Sequence, residues 1–364
     1  MSAAHETFDI VVVGAGMAGA SLAAALAGQA RVLVLEAEDR PGYHTTGRSA
    51  AFWTESYGGP DAQPLTSASG PTLAALGFLT SRMALTIGTA NQAREVEAFA
   101  QTYSALGIEM RLLDRGGLEA QVPGLKPCWT LGALEPSCCD IDVAGLHQHY
   151  LAQMRSDGAQ LWCDARLAAA HRVEANWRLT LEDGRTVRCD VLVNAAGAWA
   201  DPIALLAGAA PLGIAPLRRT IAQVRVAPVV PAALPLVLDV AERFYFKPDA
   251  GRLWLSPHDE TPSLPCDVVP EELDVALALE RLGDVVDWTV ERVEHRWAGL
   301  RSFAPDRLPV YGFDLRQTGF FWFAGQGGFG IQTAPAAAAL GAKLLLGAGA
   351  DDVDPQRYLP DRFG

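Results

Sequence analysis

Two glycine clusters near opposite ends of this 364-residue chain carry the residue types that bring bare backbone against a ligand. The first is GAGMAG, with Gly14, Gly16 and Gly19 and an acid, Glu36, 22 positions after Gly14. In such a fingerprint the first glycine makes a tight turn and the second admits a pyrophosphate to the backbone. The third lets helix and strand pack closely, and the acid accepts ribose hydroxyls. The second cluster, GQGGFGIQT, runs from Gly325 to Thr333 and leads into an apolar helix. The positive end of that helix dipole could hold the extra negative charge of a reduced ring system. Between the clusters stand Arg218, Arg219 and Arg301, and an arginine can grip a carboxylate through two parallel hydrogen bonds.

The elements that must position these residues follow from the apolar pattern. A strand over Ile10 to Val13, a helix over Met17 to Leu26 and a strand over Arg31 to Leu35 form a βαβ unit. The helix N-terminus would aim free N–H groups at phosphates. A buried strand, Val191 to Val193, sits in DVLVNAAGAWAD (Asp190 to Asp201), and another, Phe320 to Ala324, precedes the second glycine cluster. The polar, glycine-containing stretch PGYHTTGRSAAF, Pro41 to Phe52, can lie against a flat ring. A nicotinamide enzyme has no need of the second glycine–helix arrangement and a flavoenzyme does, so the expected dinucleotide is FAD rather than NAD.

Two further stretches interrupt this framework. The first, Ala51 to Cys139, opens with an expected loop over Tyr57 to Gly70, rich in Gly, Pro and Ser, followed by helical patterns at Ala93 to Leu106 and Leu118 to Val122. The second, Pro216 to Arg296, alternates with period 2 at Thr220 to Val226 and Phe244 to Phe246, with a turn at PDAG, Pro248 to Gly251. Alternation sets Tyr245 opposite Phe244 and Phe246, giving one core face and one pocket face. It does not decide whether Arg218 or Arg219 faces the cavity.

Composition is that of a well-buried globular protein, 50% hydrophobic and 20% charged, on a chain long enough for two domains. The formal charge of −13 argues against nucleic acid and anionic membrane surfaces as partners. No apolar run approaches a membrane span and the polar start is no signal peptide, so a cytoplasmic enzyme without stable membrane insertion is expected. Six cysteines lack CxxC spacing and are read as reduced thiols, although the vicinal pair Cys138 and Cys139 could in principle bridge. The histidines His147, His149, His171, His258 and His295 have no ligand spacing, so no metal is expected. No nucleophile elbow appears, and Asp190 and Asp201 read as capping or solvated groups.

GAGMAG, GRSAA, NAAGAWAD, WAGLRSF and GQGGFGIQT, in that order, resemble the FAD-dependent D-amino-acid oxidase and glycine oxidase superfamily, particularly its branch of bacterial D-arginine dehydrogenase-like D-amino-acid dehydrogenases. The resemblance implies an α/β fold: a glutathione-reductase-like Rossmann FAD domain with an inserted α+β substrate domain built on an antiparallel sheet. It assigns residues 1–50, 140–212 and 297–364 to the first and 51–139 and 213–296 to the second. It places Gly14, Ala15, Gly16, Met17, Ala18, Gly19, Glu36, Ala37, Thr45, Thr46, Gly47, Arg48, Ser49, Ala50, Ala51, Leu167, Ala196, Gly197 and Trp199 at a non-covalently held FAD. Gly327, Gly328, Phe329, Gly330, Ile331 and Gln332 join them from the C-terminal cluster, and His44 is implied to lie near the cofactor without a catalytic role. Arg219, Arg301, Tyr57, Tyr245 and Gly328 match the groups that contact substrate, Tyr57 on a glycine-flanked loop suited to a lid. Phe52, Thr54 and Ala84 would line the side-chain pocket.

The implied reaction is oxidative deamination of a D-amino acid: hydride passes from Cα to flavin N5, and the imino acid hydrolyses to a 2-oxo acid and ammonia. Two departures redirect the specificity. Ala84 stands where the branch has a carboxylate for a cationic side chain, and Phe52 replaces a histidine. Apolar or small side chains are therefore expected over D-arginine, since burying an unpaired cation is costly. The electron acceptor, whether quinone, dye-like or oxygen, is not legible. A glycine-, sarcosine- or proline-type amine oxidase using oxygen is the first alternative, an NAD-dependent dehydrogenase the second and a non-enzymatic dinucleotide sensor the third.

Overall fold

The structure is a computed structural model that describes residues 6–349 and 353–364. Apolar runs with no polar alternation demand strands buried on both faces, and four such runs pair in parallel at the centre of the first sheet. Glu6–Val13 lies between Val32–Leu35 and Thr186–Asn194, with Gln160–Trp162 beyond the former and Phe320–Ala324 beside the latter. Antiparallel strands Leu167–Val173, Asn176–Leu181 and Val310–Phe313 complete eight. Helix Met17–Leu26 packs on one face against helices Val143–Ser156 and Ala334–Leu346, which alanine and glycine let approach closely.

The expected helix Met17–Leu26 and strand Phe320–Ala324 have the observed bounds. Gly14 takes φ +102°, a conformation that favours glycine, and a Cβ there would lie 2.5 Å from the Ala195 carbonyl oxygen. The first glycine turn and the NAAG segment are therefore in backbone contact at the ends of neighbouring strands.

A second sheet has ten strands and is mostly antiparallel, with one parallel pair between Leu236–Asp239 and Ala84–Thr89. Its longest ladder joins Ala215–Ala227 to Thr289–Phe303. Helix Glu272–Val285 covers its apolar side with Val275, Ala278, Leu282 and Val285, against Phe244, Phe246, Leu253 and Leu255. Residue 297, expected to begin a piece of the FAD domain, lies inside the continuous strand Thr289–Phe303. The short strand Gln326–Gly327 pairs with Ser302 and Phe303, so the C-terminal glycine turn is stitched to the second sheet as it leaves the first.

The segment expected as a loop over Tyr57 to Gly70 is largely helical, Gln63–Ala75. Pro64 falls in the first turn, where a missing N–H breaks no bond. Gly70 is a packing requirement rather than a breaker: a Cβ there would be 2.7 Å from Trp53. Among the described residues no helix is long and apolar enough to cross a membrane.

Gly19 bears on helix–strand packing most directly, since an ideal Cβ would stand 1.9 Å from the Gly14 carbonyl oxygen. Gly19→Ala is expected to destabilise the fold by roughly 1–3 kcal/mol through forced backbone displacement, read as a lower denaturant midpoint.

Candidate functional site

One cavity of about 1690 Å³, open mouth included, runs from the first glycine turn to the second sheet. At its inner end stand Gly14, Gly16, Met17 and Ala18, with Glu36 and Ala37 at the end of strand Val32–Leu35. The buried Glu36 carboxylate accepts from Ala15 N at 2.9 Å and Glu38 N at 3.1 Å, so an acid is fixed beside the turn. Thr46 Oγ1 accepts from Met17 N at 2.9 Å and ties the 42–49 segment to the helix N-terminus. Leu167, Ala196, Gly197 and Trp199 line the middle, and Gly327, Gly328, Gly330 and Ile331 the far end. This series of backbone turns, an acid and two helix N-termini around an elongated space fits a dinucleotide extended by a ring system.

Beyond the C-terminal turn the second sheet presents its polar face. Register sets Arg219 opposite Gly299 and Leu217 opposite Arg301, so alternation puts both guanidiniums on one side. Arg218 points the other way, to Asp274 at 3.0 Å and to Glu271, which resolves the choice left open by the sequence. Arg301 donates to the Tyr57 hydroxyl and, at 3.2 Å, to the Tyr245 hydroxyl. A Cβ on Gly328 would come within 2.6 Å of the Arg301 guanidinium, so only glycine lets the turn and the arginine meet. Arg219 donates from Nε to the Asp259 carbonyl at 2.7 Å and from Nη2 to Glu260 at 3.1 Å, while Nη1 is buried without a partner. A buried orphan donor beside a second guanidinium invites an anion, since leaving it unpaired costs about 1–3 kcal/mol.

A family model described as FAD dependent oxidoreductase (DAO) matches residues 9–344. The chain belongs to this family. Curated relatives include hydrogen cyanide synthase subunit HcnC of Pseudomonas protegens, 24% identical over 57% of this chain and 49% of the relative. HcnC of Pseudomonas aeruginosa is 25% identical over 63% of this chain and 54% of the relative. The matched region thus spans about half the length of each. Glycine oxidase from Geobacillus kaustophilus superposes with a TM-score of 0.86 at 22% identity, covering 97% of this chain and 98% of that one. L-proline dehydrogenase from P. horikoshii gives 0.87 at 19%, covering 99% and 98%; at these identities the likeness is one of fold. This DAO-family chain is an FAD-dependent oxidoreductase, and the cavity is where its residues fit FAD.

Other named residues of this DAO-family chain serve the frame around that cavity. Ala15 gives its N–H to Glu36 and its carbonyl to buried His147 at 2.9 Å. Gly19 packs on Gly14, and Gly47 N donates to the Gly42 carbonyl at 2.9 Å. Thr45 donates to the Leu300 carbonyl at 2.7 Å, and Arg48 to that of Val268 at 2.8 Å, so the ring-side segment is braced on the second sheet; Ser49 also lines the space. His44 lines the cavity and contacts Glu38 at 3.0 Å. Phe329 packs beneath Gly58, and Gln332 sends its amide to the carbonyls of Thr54 and Tyr57 and to Thr66 Oγ1. Both therefore support the Tyr57 turn rather than line the cavity.

Ala50, Phe52, Ala84, Ile221, Leu236 and Tyr245 form an apolar cluster, joined by Tyr57, Trp254 and Trp297. Ala51, at φ +57°, gives its carbonyl to buried Lys247 at 3.0 Å. Thr54 turns its hydroxyl to Glu135 at 2.6 Å, away from a ligand-donor role. Glu135, which the sequence did not single out, is a buried carboxylate opposite Ala84. It also accepts from Glu55 N at 2.8 Å and from the hydroxyls of Ser56 and Ser137, so it is satisfied internally.

Asp201 neither caps a helix nor faces solvent: it accepts from Leu212, Gly213 and Ile214 N–H groups at 2.9–3.1 Å and pins the entry to strand Ala215–Ala227. All six cysteines are free, and the described residues contain no cluster able to hold a metal.

Burial pushes the Tyr57 phenol up, but Arg301 and Arg219 outweigh it and hold it below its ordinary value. Burial opposes the charge of Arg301, and Tyr57 and Tyr245 more than restore it. His258 packs edge-to-face on both tyrosines; burial, then Arg219 and Arg301, lower its pKa to about 2.

Below pH 6.5 the unfolded chain protonates His258 while the folded chain does not, so acid costs the fold up to about 1.4 kcal/mol per pH unit in that window. Urea melts of wild type and His258→Asn should show the wild-type advantage shrinking from about pH 6.5 to about pH 4.5. Glu135→Gln, which faces an amide against several donors, should cost roughly 1.5–3 kcal/mol, measured by the same melts.

Proposed function

We propose that this FAD-dependent oxidoreductase deaminates D-amino acids with apolar or small side chains. The observation that carries the reading is the pair Arg219 and Arg301 on one sheet face, against the Gly327–Gly328 turn and beside an apolar chamber. A carboxylate arriving there gives Arg219 Nη1 its missing acceptor and lies within reach of Arg301. Tyr57 and Tyr245 hold Arg301, which would fix the substrate by its carboxylate and set the orientation of Cα. The side chain would enter the chamber of Phe52, Ala84, Ile221 and Leu236, where Glu135 is satisfied internally and offers no free oxygen to a guanidinium. FAD, when bound, supplies the acceptor for the hydride. The amine lone pair becomes the C=N bond of an imino acid, which water converts to a 2-oxo acid and ammonia. The D configuration rests on the motif resemblance.

Anaerobic addition of D- and L-amino acids to the yellow protein, followed at about 450 nm, tests this. D-Phe, D-Met and D-Leu should bleach the absorbance with a higher kcat/KM than D-Arg or D-Lys; the reverse order overturns the specificity, and L-selectivity overturns the stereochemistry. A reoxidation step fed by a dye or quinone rather than by oxygen would make the enzyme a dehydrogenase. Arg301→Met should retain bound FAD and lose roughly 10²-fold or more in kcat/KM, the cost of truncating a buried charge pair.

A further inference from the structure

The turn Pro257 to Glu260 packs on the polar groups of the substrate end, yet the reading above gives it no task. His258 sits at φ +55°, rare for a residue with a side chain, so the surroundings must hold it there. Its N–H donates to Ser256 Oγ at 3.2 Å. The next residue anchors the turn, Asp259 accepting from Thr220 N at 2.7 Å and Thr220 Oγ1 at 2.9 Å while its carbonyl takes Arg219 Nε. Glu260 closes it with Arg219 at 3.1 Å and Arg307 at 2.7 Å. The imidazole is thereby set 5.8 Å from the Tyr245 ring at 89° and 6.4 Å from the Tyr57 ring at 77°.

An α-amino acid brings two polar groups, and the site described so far serves one. Its carboxylate meets donors in plenty. Its amino group needs an acceptor, and the side-chain acceptors near the arginines are mostly committed. The hydroxyls of Tyr57 and Tyr245 already accept from Arg301, and Glu260 Oε1 is shared by two guanidiniums. The His258 ring makes no hydrogen bond among the described residues, and a neutral imidazole always keeps one lone pair. The guanidiniums that would receive the carboxylate are also what keep that lone pair free of a proton at neutral pH.

We propose that His258 is a substrate-binding residue that accepts a hydrogen bond from the α-amino group while Arg219 and Arg301 hold the carboxylate. The inference rests on the amino-acid reading of the site and adds to it a recognition element for the amine. It explains why a histidine is kept unprotonated between two tyrosines: a cationic ring would repel an ammonium, and a neutral one attracts it.

The test uses FAD-loaded enzyme and two acids of matched shape that cannot be oxidised at Cα. In 2-aminoisobutyrate the carbon beside the carboxylate bears an amine and no hydrogen; in trimethylacetate a methyl replaces the amine. Affinities are read from the flavin absorbance change and by calorimetry. Wild type should prefer 2-aminoisobutyrate. His258→Phe keeps the ring packing and removes the acceptor, so it should weaken 2-aminoisobutyrate about 10-fold or more and leave trimethylacetate within about 2-fold. His258→Asn, which offers an acceptor again, should recover part of the loss. Equal weakening of both acids, or of neither, in His258→Phe overturns the inference. Failure of every amino acid to bleach the flavin, with the 2-aminoisobutyrate preference intact, overturns the amino-acid oxidation reading alone. Failure of wild type to bind either acid overturns both.

Discussion

The ladder between Ala215–Ala227 and Thr289–Phe303 is the constraint on which the substrate end depends. Side chains alternate along a strand, so a slip of one residue would turn either arginine to the opposite face. The observed register sends Arg219 and Arg301 inward together and Arg218 outward into its own acids. The same strand then binds Gln326–Gly327, delivering the C-terminal turn to Arg301. One set of backbone hydrogen bonds thus fixes the distance between the gripping groups and the end of the cofactor cavity. Precision of this kind is cheaper on paired strands than on loops, where each residue must be held separately.

Much of the cofactor frame was legible because its signals are local. Strand, glycine turn, helix and acid occur within a few dozen residues, and each follows from periodicity or from a glycine requirement. The Phe244–Tyr245–Phe246 alternation was readable for the same reason: Phe244 and Phe246 join the apolar side and Tyr245 the pocket side. The Arg218 and Arg219 choice was not, since both positions alternate and only the partner strand decides. The helix Gln63–Ala75 was hidden by proline and glycine, residues that read as breakers in isolation. Pro64 is harmless in a first turn, and Gly70 answers a tryptophan that lies elsewhere in the sequence.

Glu135, His147 and His258 went unseen for a related reason. Each acts through partners far along the chain and carries no spacing of its own. Glu135 gathers residues 54–56 across 79–81 positions, and His147 reaches Ala15 across 132. A buried polar residue in a single sequence is indistinguishable from a solvated one until its acceptors are known. Ala84 was informative in a different way, as an absence, and the structure gives that absence a context: the carboxylate nearby on the paired strand is spent on holding the Tyr57 turn.

Gln332 belongs to the C-terminal motif, yet its amide clasps Thr54, Tyr57 and Thr66 at 3.0–3.3 Å. Any outward swing of the Tyr57 turn must tear that clasp or drag the motif along. The doorway and the cofactor's berth therefore share a single latch, so that traffic of small molecules through this side is mechanically geared to how firmly the prosthetic group is seated.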